Sequence, residues 1–185
     1  ADDTAGVDLG GRRIIKKEVL LRLDPGDAAE LRELLGYQED TAGRAMAFGA
    51  PAVPQHLTLG GAVQFLRESA DELDEVETVF VVDGIGRLLG YLPLDVLLLK
   101  PADTPVIEAM KRDVVFAYTY EDQEEVAVRA QHSGLVAIPV IDSRGILRGQ
   151  IRHDRILEIV EQEAEEDINR LAGLSEDESV FSSFS

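Results

Sequence analysis

Two stretches of this chain repeat one alternation of apolar strand, polar turn and second strand. Val79–Leu97 reads VFVVDGIGRLLGYLPLDVL, and Ile138–Ile156 reads IPVIDSRGILRGQIRHDRI. With Asp83 set on Asp142, Gly86 falls on Gly145, Leu88 on Leu147, Gly90 on Gly149 and Asp95 on Asp154. Each copy predicts a β-branched strand, a tight Asp- and Gly-bearing turn, a second short strand and a helix. The glycines are expected to supply the positive φ that a hairpin turn demands. Ahead of each hairpin the spacing predicts an amphipathic helix. The first runs near Leu59–Ala70, with Ala62, Val63, Leu66 and Ala70 on one face. The second runs near Asp122–Ser133, with Val126, Ala127 and Ala130 inward and Asp122, Glu124, Glu125 and Arg129 mostly outward. Short extended segments come before them, Ala52–Pro54 and Val114–Tyr118. The unit is β-α-β-β-α, twice, an α+β arrangement. A three-stranded sheet with helices on one face leaves its other face bare, so the two copies are expected to pack together.

The flanks are helical. Residues 20–37 read LLRLDPGDAAELRELLGY, an amphipathic helix with a Pro-containing turn at its start, and lead into Glu39-Asp40-Thr41-Ala42-Gly43-Arg44-Ala45-Met46. After the second copy comes ILEIVEQEAEEDINRLA, Ile156–Ala172. Here Glu158, Glu161 and Glu165 share one side of a helix, while Glu163, Glu166 and Asp167 point elsewhere. No apolar run approaches the roughly 20 residues of a membrane span, and the N-terminus lacks the apolar core of a signal peptide. Both ends read as cuts from a longer protein.

Composition narrows the chemistry. With 45% hydrophobic residues in 185, the chain can bury a core, and without cysteine it has no disulfide, thiolate metal site or cysteine nucleophile. A net charge of -18, from 36 acids against 18 bases, argues against nucleic acid and anionic lipid as partners. The acid excess reads either as a plain soluble surface or as one that needs cations before it can dock. His56, His132 and His153 stand in no catalytic or metal-binding pattern, and no phosphate loop or nucleophile motif is present. Gly84-Ile85-Gly86 is a hairpin turn. No enzyme is expected.

The repeated strand–turn–strand pattern resembles the CBS (cystathionine-β-synthase-type) domain over about residues 40–162. Three strings narrow the likeness: EDTAG with Met46, Glu121–Ala127 (EDQEEVA), and the acidic start of the last helix. All three are similar to MgtE-type magnesium transporters. The resemblance implies residues 1–39 as the remnant of a helical N domain and CBS domains at 40–103 and 104–162. It makes 163–185 the start of a connecting helix to a membrane channel domain of the same chain. It further implies a cytosolic regulatory region, a homodimer on the cytoplasmic side of the membrane, that senses Mg2+ and gates the channel. Carried over by position, the Mg2+ contacts are Asp122, Glu124, Glu158, Glu163, Glu166 and Asp167. Two positions depart from the family: Arg155 stands where an acid pairs with the N domain, and Gly134 where a ligating Asp precedes the core strand. Many CBS pairs hold adenine nucleotides with a Ser or Thr after the second hairpin strand and an Asp three residues on. Those positions carry Pro93 and Val96, then Arg152 and Arg155, which argues against nucleotide binding. The alternatives are an adenine-nucleotide sensor and a structural dimerisation module whose sensing sites have decayed.

Overall fold

The computed structural model describes residues 25–73 and 76–182, with side chains described as far as Ala172. The expected helix over 20–37 is seen from Pro25 onward; residues 1–24 and 183–185 lie outside the described residues. The chain runs α1 (Pro25–Gly36), α2 (Ala42–Ala45), β1 (Ala52–Pro54), α3 (Leu59–Glu68), β2 (Val79–Val82), β3 (Leu88–Leu92) and α4 (Leu94–Leu99). It continues with α5 (Val106–Ala109), β4 (Ala117–Tyr118), α6 (Gln123–Ser133), β5 (Ala137–Ile141), β6 (Leu147–Arg152) and α7 (His153–Ser182). The expected α+β repeat of β-α-β-β-α is present in both copies. The helix starts are sequence-encoded: Thr58 accepts from the Gly61 N–H at 3.2 Å to cap α3, and Asp122 accepts from Glu124 N–H at 2.9 Å to cap α6.

Each repeat forms its own sheet, ordered β1-β2-β3 and β4-β5-β6, with the outer pairs parallel and the hairpins antiparallel. The hairpin turns are built alike. Asp83 accepts from the N–H groups of Ile85 and Arg87 at 3.0 and 2.9 Å, and Asp142 from those of Arg144 and Ile146 at 2.9 and 3.0 Å. Both carboxyls lie below their ordinary range. For Asp83 the Arg87 N–H is the main cause. For Asp142 lost hydration is the largest influence and pushes up, but the N–H groups of Ile146 and Arg144 and the Arg144 guanidinium together outweigh it. The two turns then clasp: Leu88 N–H donates to Gly145 O and Leu147 N–H to Gly86 O, each at 3.0 Å.

Gly86 and Gly145 have the positive φ expected of them, at 85° and 81°. Gly90 and Gly149 need a different explanation. A Cβ on Gly90 would stand 2.2 Å from Lys111 O, and one on Gly149 would stand 2.4 Å from Ala47 O. They are glycines because a neighbouring backbone crosses directly over the second hairpin strand, not because of the turn.

Those crossing backbones come from the other half of the chain. The first core joins Val53, Leu59, Val79, Val81 and Leu92 with Val106, Ala109 and Met110, which follow the first repeat. The second joins Val126, Ile138, Val140, Ile151, Ile156 and Ile159 with Ala42 and Met46, which precede it. Each repeat therefore completes its core with a segment outside its own β-α-β-β-α unit: the first with the stretch that directly follows it, the second with one that precedes the first repeat. Tyr91 and Lys111 exchange two backbone hydrogen bonds at 2.9 and 2.8 Å, and Ala47 and Gln150 exchange two at 2.8 and 2.9 Å.

Candidate functional site

Residues 37–48 form a strap that passes the start of α6. Gln123 N–H donates to Asp40 O at 2.8 Å, Ala42 N–H to Glu121 O at 2.8 Å, and Gly43 N–H to Thr119 O at 2.9 Å. Asp40 takes φ 61°, in the left-handed region that Asp and Asn tolerate best among residues with a Cβ. Its carboxylate accepts from the buried Gln123 amide at 3.4 Å. The strap thus sets Asp40 beside Asp122, the α6 cap, and Glu124 in the first helical turn. Helix α7 supplies the opposite side. Ile156 and Ile159 are buried, each 1% exposed, and Glu163 follows one turn later on the same face.

Glu163 is the electrostatic centre of this group. Its carboxyl is pushed above the ordinary range, first by lost hydration and then by the negative charges of Glu124, Glu166, Asp122 and Asp40. Four of the six residues expected to contact a cation, Asp122, Glu124, Glu163 and Glu166, thus share one field. Asp40, absent from that set, joins them through the strap. The other two are otherwise engaged: Glu158 pairs with Arg155 at 2.9 Å, and Asp167 with Arg170 at 3.1 Å. Gly134, where a ligating Asp was expected by resemblance, is the left-handed cap ending α6, with φ 68°. Among the described residues no three acidic or histidine side chains converge closely enough to chelate a bare ion. The donor set is all carboxylate. It suits a small hard cation that keeps its water shell and is held through those waters by several acids.

Two clefts flank the hairpins. One, of about 260 Å³, is lined by Thr78, Tyr91, Pro93, Lys111 and Leu135, among others; the Lys111 ammonium stands 6.0 Å from the Tyr91 ring centre. The other, of about 300 Å³, is lined by Ala45, Ala47, Gln150, Arg152, Asp154, Arg155 and Glu158. Arg152 is bound to Asp154 at 2.7 Å, and that pairing is the main reason the Asp154 carboxyl lies low. Val96 packs against the first core. The three histidines are exposed, and His132 shares a 2.8 Å hydrogen bond with Val128 O.

No protein-family model matches the chain. The magnesium transporter MgtE of Thermus thermophilus is 37% identical over 160 residues, which cover 86% of this chain and 36% of that one. A crystal structure of the cytosolic domain of the Mg2+ channel MgtE, in complex with ATP, superposes with a TM-score of 0.73 at 35% identity. That match covers 77% of this chain and 58% of the other. The CBS pair is of the MgtE type. At fold level alone it also matches the cystathionine β-synthase pair domain of a Shewanella oneidensis protein. There the TM-score is 0.69 at 20% identity, over 82% of this chain and 88% of that one. The chain spans about a third of the length of the MgtE transporter it matches. Among the described residues no helix is long and apolar enough to cross a membrane. The MgtE relatives are transporters, not enzymes.

Proposed function

We propose that this MgtE-type CBS pair is the Mg2+-responsive regulatory region of a magnesium transporter. Full-length, it works as a homodimer on the cytoplasmic side of the membrane, beside a channel domain of the same chain. The observation that carries the reading is the negative field that carboxylates of the strap, α6 and α7 share at Glu163. Without a cation these elements repel one another; a hydrated Mg2+ shared between them favours the packed arrangement by binding it selectively. The acidic helix α7 leads out of the second core, so its attitude is the natural output of that packing. The dimer is supported by exposed leucines after both hairpins, Leu98 at 72%, Leu99 at 82% and Leu157 at 44% exposure.

Thermal melting tests this. Millimolar MgCl2 is expected to raise the melting temperature above an NaCl control of equal ionic strength. Because the Glu163 carboxyl is raised, its ionised form works against folding: stability present at low pH is lost as pH rises through the folded pKa. At neutral pH without Mg2+, Glu163→Gln is therefore expected to melt above the parent and to show a smaller Mg2+ response. Absence of any Mg2+ shift in the parent rejects the sensor.

The same assay weighs the alternatives. The first cleft offers a Thr78 side chain in a residue only 6% exposed, with Tyr91 and Lys111 beside it, which keeps a nucleotide reading open although Pro93 and Val96 depart from the usual pattern. A shift with ATP but none with Mg2+ identifies a nucleotide sensor. A shift with neither, in a chain still dimeric by sedimentation, identifies a dimerisation module.

A further inference from the structure

Gln150 is buried, and its side chain holds nothing. The residue is 6% exposed, and its backbone N–H and C=O are both spent on Ala47. Its amide makes no hydrogen bond among the described residues, where no polar side-chain atom is both buried and unpartnered. The amide therefore opens onto the cleft of about 300 Å³ that Gln150 lines. So deep an amide without a protein partner is uncommon, and it marks a place where a bound molecule completes the bonding.

The charges around this cleft are graded by depth. The Arg152 and Arg155 side chains are 30% and 37% exposed, whereas those of Asp154 and Glu158 are 62% and 60% exposed. Arg152 Nη2 donates to Asp154 at 2.7 Å and Arg155 Nη1 to Glu158 at 2.9 Å, so the two pairs balance. Nε and Nη2 of Arg155 carry no bond among the described residues. A lone anion must pass the carboxylates at the rim, and a lone cation ends against the guanidiniums. A molecule with both charges meets neither penalty. The first repeat has Tyr91, Pro93, Val96 and Leu99 at the positions of Gln150, Arg152, Arg155 and Glu158, so the grading belongs to the second repeat alone.

We propose that this cleft binds a small zwitterion of the α-amino-acid class. Its carboxylate turns inward to Arg152 and Arg155, and its ammonium stays at the rim with Asp154 and Glu158. A polar side chain completes the Gln150 amide between the small walls of Ala45 and Ala47. The site is separate from the acidic group around Glu163 and does not depend on the Mg2+ reading.

Heteronuclear NMR of the nitrogen-labelled full chain tests this with L-asparagine, which carries both charges and an amide. Succinamate lacks only the ammonium and β-alaninamide only the carboxylate, so they are the matched controls. Millimolar asparagine is expected to shift the Gln150 side-chain amide together with the Ala45 and Ala47 backbone amides. Each control is expected to bind at least about ten-fold more weakly, the loss of one charge-assisted hydrogen bond. Arg155→Gln, a surface change that spares both cores, is expected to weaken asparagine by about the same factor. Gln150→Leu is expected to abolish the response, and Arg155→Gln decides if that variant does not fold. Equal shifts with succinamate make the cleft a plain anion site and overturn the proposal. So does an asparagine response unchanged in Arg155→Gln, a response to ATP alone, or no asparagine response at all.

Discussion

Gly149→Ala is expected to destabilise the chain by roughly 3 kcal/mol, a fall of about 6–12 °C in melting temperature. The added methyl would sit 2.4 Å from Ala47 O, 3.2 Å from Ala47 C and 3.0 Å from the Met46 sulfur. The first two atoms are backbone, pinned by the paired hydrogen bonds between Ala47 and Gln150, so they cannot yield as a side chain would. Relief requires withdrawing the strap, which pulls Met46 out of the second core. Gly90→Ala meets Lys111 O at 2.2 Å and is expected to act similarly on the first core. Gly84→Ala, with nothing within 4 Å and no positive φ, is the matched control and is expected to be near neutral. Urea denaturation reads all three. A Gly149→Ala protein within about 0.5 kcal/mol of the parent, the range of ordinary surface changes, would mean that the crossing backbones are not fixed.

The hairpins were legible because their signals are local. Short unbroken apolar runs at Val79–Val82 and Ala137–Ile141, with Asp and Gly at fixed offsets, specify strand and turn without reference to the rest of the chain. The same locality hid the exchange of segments. Helices α2 and α5 are four residues each and β1 is three, too short to show a period. Nothing in Ala42 or Met46 says which repeat they serve. Gly90 and Gly149 carried the clue, since they recur in both copies beyond the turn, but a glycine alone does not distinguish a bend from a close approach. The acidic site divides in the same way. Glu163 lies on the α7 face that carries Ile159, which helical spacing alone displays. The ties of Glu158 to Arg155 and Asp167 to Arg170 follow from i, i+3 spacing. Asp40 could not be placed so. It stands far ahead of α6 in sequence and reaches Gln123 only because the strap crosses to the second repeat.

That crossing has a larger consequence. A chain beginning at residue 49 is expected to lose its second core while keeping much of its first. The deletion removes Ala42 and Met46, 0% and 3% exposed, and the partial cover of Leu34, Tyr37, Ala45 and Phe48. Emptying the space of a buried methionine costs about 2–5 kcal/mol. The partners that Thr119, Glu121 and Gln150 find on the strap vanish as well, at about 1–3 kcal/mol for each group left buried and unpaired. Together these approach the roughly 5–15 kcal/mol that holds a typical domain folded. The first core draws on Val53 through Met110, all of it retained. A chain beginning at residue 38 gives up α1 but keeps the rest of the strap, and is expected to protect both cores. Amide exchange separates the outcomes: in the shorter chain Val140 and Ile151 should exchange freely while Val79 and Val81 stay slow. Native-like protection of Val140 and Ile151 without the strap would show that the second repeat closes its core alone.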